Sequence, residues 1–187
     1  MTPLEEKIKV DACIGHSKIS NHSEIKDNIL SLIESSEDSS LHLDGSFISK
    51  YDYSISENYD REWVKFFNPH FLPTLADLML SLGYDDVELW QIWYQQYLKG
   101  SSHPWHIHSG HFTGVYYLEH PEGSPSTEIL SPYNLETIKV DMVSEGDFIV
   151  FPASWIHRGP LNEGLRKTII SFNLTIKDPR SSLLLSK

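Results

Sequence analysis

The chain has 187 residues, 40% of them hydrophobic and 12% aromatic, which suits one domain with a sizeable core, or one with a small appendage, and is a globular composition rather than a disordered one. A formal net charge of −11 argues against general binding to nucleic-acid phosphates or anionic membranes, which needs clustered Lys and Arg. The single cysteine, Cys13, excludes an internal disulfide and a cysteine-rich metal site, and fits a reduced, cytoplasmic setting.

The opening "MTPLEEKIKV" carries charges where a secretion signal needs an apolar run. No stretch approaches the roughly 18 apolar residues of a membrane span. Ile25, Ile29, Leu32 and Ile33 recur at helical spacing, with Asn21 and Glu24 as a capping-box-like start. "SSEDSS" breaks that pattern. Asp60 is placed to cap a short helix carrying Trp63, Phe66 and Phe67. Pro73 suits the first turn of a further helix with Leu75, Leu78, Met79 and Leu82 on one face, stopped by Gly83.

From Val87 the pattern changes to strands. "VELWQIWYQQYLKG", "HFTGVYYLEH", "TIKVDMV", "FIVFP" and "LRKTIISFNLTI" are rich in aromatic and β-branched residues, and turn signals such as "PEGSPS" and "SEGD" separate them. The tail "SSLLLSK" is expected to be peripheral. The pattern predicts an antiparallel sandwich or barrel. Residues 1–187 read as one domain, helical over about 1–85 and β over about 87–177.

"HPWHIHSGH" packs four of the ten histidines into residues 103–111. His106 and His108 are two apart, so in a strand both imidazoles share a face and make a two-ligand arm for a transition metal. One local segment rarely closes a site, and His157, after an apolar strand and a short break, is the best distant partner. His103 and His111 are better read as structural or supporting. His16, His22, His42, His70 and His120 have no constellation around them. A lone histidine in a strand-rich region is most often a surface or hydrogen-bonded core residue, and the same-face pair with a strand-end partner is what favours ligation. Arg166, Thr168, Ile170 and Phe172 share one face of the last strand. A guanidinium on an apolar inward face needs an anion, from a protein carboxylate or from a ligand. Trp90, Trp93, Tyr94, Trp105 and Trp155 are read mostly as core, with a substrate groove as the alternative.

"YLKG", "HIH", "TGVYYL", "EGDFIVFP", "IH" and "LRKT" occur in an order that resembles the 2-oxoglutarate/Fe(II)-dependent oxygenases, over roughly residues 89–176. The similarity is greatest to the prolyl-hydroxylase-like branch, including small oxygenases of phage and marine bacteria. The resemblance implies a mainly β (α+β) fold, a double-stranded β-helix or jelly roll with N-terminal helices packed against it. It implies iron ligands His106, His108 and His157, and 2-oxoglutarate contacts from Arg166, Thr168, Tyr117 and Tyr97. For both tyrosines, core packing is the competing reading. Asp147 is expected to shape a turn.

The activity implied is hydroxylation of a peptidyl residue such as proline, or of a small metabolite, using Fe(II), 2-oxoglutarate and O2 and releasing succinate and CO2. Position 108 departs from the family pattern, because the usual second ligand is a carboxylate. Three neutral imidazoles leave Fe(II) its full formal charge and draw an anionic ligand more strongly. Two alternatives stay open: a three-histidine, cupin-like metalloenzyme without 2-oxoglutarate, and a non-catalytic metal-binding jelly roll. Neither a nucleic-acid nor a membrane partner is expected.

Overall fold

The computed structural model describes residues 13–36 and 47–177. Most of the "SSEDSS" break and all of the "SSLLLSK" tail lie outside the described residues. Within them, strands form two antiparallel sheets packed face to face, the jelly-roll architecture expected. The larger sheet runs in the order β1 (Gly15–Lys18), β8 (Asp147–Pro152), β5 (Phe112–Glu119), β10 (Lys167–Ile176), β3 (Val87–Tyr97) and β2 (Lys50–Tyr51). The smaller runs β4 (His103–His106), β9 (His157–Gly159), β6 (Glu128–Leu130) and β7 (Thr137–Lys139). No helix among the described residues is long and apolar enough to cross a membrane.

The larger sheet is covered on both faces, so its central strands β5, β8 and β10 are buried along nearly their whole length. One face, with Ile92, Tyr94, Tyr116, Phe148, Ile170 and Phe172, packs against two helices. The other, with Tyr97, Val115, Tyr117, Ile149, Phe151 and Ile169, meets the smaller sheet. Where β5 crosses β10 the fit is tight. A Cβ on Gly114 would lie 2.2 Å from Phe172 Cζ, so only glycine permits the approach.

Helix α1 (His22–Ser35) buries Ile25, Ile29, Leu30 and Ile33, close to the expected stripe. Its capping box does not form. The Asn21 amide donates instead to His70 Nδ1 at 3.1 Å, tying α1 to its neighbour. That neighbour, α2 (Glu62–Ser81), corrects a second expectation: the two predicted helices are one, with Pro69 and Pro73 inside it and Arg61, not Asp60, at the N-cap. Trp63, Phe67, Phe71, Leu75 and Met79, each four residues apart, form one buried stripe. Each such side chain gains roughly 1.5–3 kcal/mol by burial, and each interior proline costs about 3 kcal/mol. The stripe therefore outweighs the prolines. Both prolines, and Lys65 whose carbonyl loses its partner, lie on the exposed face, where water replaces the missing donor. Gly83, at φ +91°, ends the helix as expected.

Candidate metal centre

Strands β4 and β9 pair at the mouth of the jelly roll, with His106 opposite His157. The strand ends at His106, so His108 is not placed by strand alternation as the spacing implied. Its backbone N–H instead donates to Ala153 O at 3.0 Å, just before the turn into β9, and this folds the ring back beside its neighbours. His106, His108 and His157 each offer one nitrogen, and these atoms all lie within 4.8 Å of one another. His106 Nε2 and His108 Nε2 are 3.1 Å apart. Metal–imidazole bonds of about 2.1 Å at a right angle put two nitrogens about 3 Å apart, so this spacing fits a shared ion.

The tautomers fit as well. His106 Nδ1–H donates to Pro104 O at 2.7 Å, and His157 Nδ1–H to Trp155 O at 2.9 Å. Each bond leaves Nε2 as a lone pair, the arrangement that orients metal-binding histidines. Burial holds the rings neutral, as ligation requires. It pushes His108 down to about 2 and His157 to about 4, and repulsion between the rings adds to both shifts. His106 is lowered by burial too. Trp93 packs on His108 at 5.4 Å between centroids and Phe151 on His157 at 4.8 Å, so the rings have little freedom to turn. His103, read as structural or supporting, stacks on His106 with ring centroids 3.8 Å apart and lines the same cavity.

The cavity behind the histidines is walled by Gln95, Tyr97, Thr127, Lys167 and Ser171 among others. Arg166 and Thr168 are not in it. Arg166 makes a two-pronged contact with Glu119, both bonds 2.9 Å, and a third bond to Glu34 at 2.7 Å. Thr168 Oγ1 donates to the same Glu119. The expected cosubstrate role of this pair is therefore corrected, and their anion is the protein's own carboxylate. The residues of β10 that face the cavity are Lys167, Ile169 and Ser171. Arg166 precedes that strand, and Thr168, Ile170 and Phe172 face the helices.

Lys167 is buried, its Nζ 2.8 Å from Pro125 O and 4.7 Å from the Tyr97 ring centroid. Burial without a carboxylate partner lowers its pKa to about 8. Tyr97 lines the cavity, and burial raises its pKa. Tyr117 sits behind the wall, donating to Thr127 Oγ1 at 3.0 Å and accepting from Thr127 N at 3.2 Å; Thr127 itself reaches the cavity. Asp147 accepts from Ser144 N at 2.8 Å and so shapes a turn, as expected. His111 lies apart, bonded to Thr175 Oγ1 and Ile176 N. Lys167 was the residue the sequence reading missed. Its signal lay in the alternation of Lys167, Ser171 and Asn173 against the more apolar Thr168, Ile170, Phe172 and Leu174. The more apolar set faces the helices, and on the mixed side Lys167 and Ser171 reach the cavity.

No protein-family profile matches the sequence. No curated protein matches it either. Solved structures do. A prolyl hydroxylase from Trichoplax adhaerens, in complex with a hypoxia inducible factor peptide, superposes with a TM-score of 0.63 at 16% identity, covering 93% of this chain and 87% of that one. A prolyl-4-hydroxylase from Pseudomonas putida gives 0.63 at 11% identity, covering 89% and 94%. The non-heme alpha ketoglutarate dependent epimerase SnoN, from nogalamycin biosynthesis, gives 0.67 at 13% identity, covering 88% and 78%. The chain has the double-stranded β-helix fold that prolyl hydroxylases share with other 2-oxoglutarate/Fe(II) oxygenases.

Proposed function

We propose that the protein is an Fe(II)- and 2-oxoglutarate-dependent oxygenase that hydroxylates an organic substrate and releases succinate and CO2. The observation that carries this reading is one cavity holding three neutral, convergent imidazoles and a buried ammonium with no carboxylate partner among the described residues. His106, His108 and His157 would hold the metal. Iron(II), when bound, supplies oxygen activation coupled to oxidative decarboxylation of the 2-oxo acid.

The chain's own groups do the rest. Lys167 holds the far carboxylate of 2-oxoglutarate, the role expected of Arg166. The hydroxyls of Tyr97 and Thr127 are at hand as further donors, with Tyr117 holding Thr127 in place. The inner cavity is only about 20 Å³, so side chains of its wall must shift to admit a dicarboxylate. The ammonium has three donors, so it can keep Pro125 O and still make a charge-assisted bond to a carboxylate. Carbonyl bonds at Pro104 and Trp155 hold two of the three rings, so the centre needs little reorganisation on loading. The substrate class is a peptide or a small molecule.

The test is turnover coupled to metal. Full-length protein reconstituted with Fe(II) should release succinate from 2-oxoglutarate on admission of oxygen, and His108→Ala should lose both bound iron and succinate. Oxygen consumption without succinate would favour the cupin-like alternative. Iron or zinc binding that changes stability with no oxygen-dependent turnover would favour the non-catalytic one.

A further inference from the structure

A second cavity, of about 190 Å³, opens beside the histidines. Lys167 does not line it. Its apolar wall is Ile48, Tyr51, Tyr53, Trp93 and Ile107, and among the described residues no Asp, Glu, Lys or Arg contributes to it. Tyr53 and Trp93 meet edge to face, centroids 5.0 Å apart at 78°, and Trp93 reaches on to His108. An apolar cavity of about 150 Å³ holds benzene, so this one has the capacity of a single ring with a substituent. With the site metal-free, or with the metal's charge balanced by the dianionic cosubstrate, a charged ligand would be desolvated here with no counter-ion among the described residues.

Besides the histidines, one polar side chain is common to both cavities. Gln95 is buried, and Ser171 Oγ donates to its Oε1 at 3.0 Å. That bond fixes the amide plane and leaves the Nε2 hydrogens as the group on offer. A donor at such a position calls for an acceptor.

Resting on the oxygenase reading above, we propose that this cavity is the substrate site. It takes an uncharged five- or six-membered ring bearing a carbonyl or similar acceptor oxygen. The Tyr53–Trp93 corner holds the ring, and Gln95 Nε2 orients the oxygen beside the metal centre. Gln95 is a positioning residue.

A matched probe series tests this by calorimetry on the full chain, in buffer alone and again with Fe(II) and 2-oxoglutarate under argon. Benzamide should bind, and toluene, which lacks the acceptor, at least tenfold more weakly. Benzoate and benzylammonium should not bind in this cavity, and Lys167→Met removes any benzoate held by the lysine. Gln95→Met should bring benzamide down to the level of toluene without changing toluene. Tyr53→Ala, at a more exposed position, should weaken both. If Gln95→Met does not fold, Ser171→Ala, which frees the amide to turn, should narrow the benzamide–toluene gap. Equal binding of the charged probes, an unchanged gap in these variants, or no binding of any probe would overturn the proposal. The absorption of the iron–2-oxoglutarate chelate is read on the same samples. A chelate without the probe pattern sinks this inference alone, and the probe pattern without a chelate sinks the oxygenase reading alone.

Discussion

Arg166 and Lys167 are neighbours in sequence and opposites in surroundings. The guanidinium is partly exposed and fully paired with Glu119 and Glu34, joining the C-terminal end of α1 to β5. Screening by solvent limits such a pair to about 1 kcal/mol or less. Arg166→Ala is therefore expected to lower stability slightly and leave 2-oxoglutarate affinity unchanged. Lys167→Met should weaken that affinity severely while iron still binds. Fluorescence melting and an anaerobic binding titration of the two variants separate these outcomes. The lysine also sets a pH dependence. Its pKa, lowered by burial to about 8, means the ammonium is present below that pH and lost above it. Cosubstrate affinity should be flat below pH 8 and fall by about tenfold per pH unit above it, until the bound complex itself titrates. The profile should be absent in Lys167→Met. Spacing in the sequence was enough to pick out His106, His108 and His157 as a group. It was not enough to choose between Arg166 and Lys167, because that choice depends on which side of β10 the helices cover.

At the scale of elements, the cavity wall depends on a buried clasp. Asp52 accepts from Arg61 Nη1, from Trp63 Nε1 at 3.0 Å and from Tyr94 N at 2.8 Å. Arg61 also donates to Ile92 O at 2.6 Å. Three segments meet there: the turn that follows β2, the start of α2, and the middle of β3. Tyr51 and Tyr53 flank Asp52, so the clasp also sets the aromatic corner of the outer cavity. Both charged side chains are nearly buried, and removing one partner of such a pair costs about 3–5 kcal/mol. Asp52→Asn should lose stability on that scale in chemical denaturation, whereas Asp60→Asn, at an exposed position, should not. No periodicity announces this clasp, since its members lie in unrelated elements. The same holds for β1 and β2. They are short, largely polar edge strands, and only pairing with β8 and β3 makes them strands. By contrast, β3, β5, β8 and β10 were legible, because aromatic and β-branched runs between turns have few alternatives. The single helix α2 was misread for the opposite reason. Local proline signals were clear, and long-range burial of the Trp63–Met79 stripe overrode them.

Over the whole molecule, charge is distributed against the average. The chain carries a net −11, yet among the described residues no carboxylate lines either cavity at the histidine centre. Lys167 and Arg158 are the charged residues of the inner wall, and Glu128 pairs with Arg158 at 2.7 Å. A divalent ion added to three neutral imidazoles would therefore be strongly anion-seeking, and a dianionic chelate satisfies it. That account places the missing ligand carboxylate in the cosubstrate rather than in the protein. It is tested most directly by adding 2-oxoglutarate to the Fe(II)-loaded protein under argon and following visible absorption. The expected result is a chelate charge-transfer band that saturates at one equivalent, disappears in His108→Ala, and needs far more 2-oxoglutarate to appear in Lys167→Met. Bound iron with no such band, or a band indifferent to both substitutions, would contradict it.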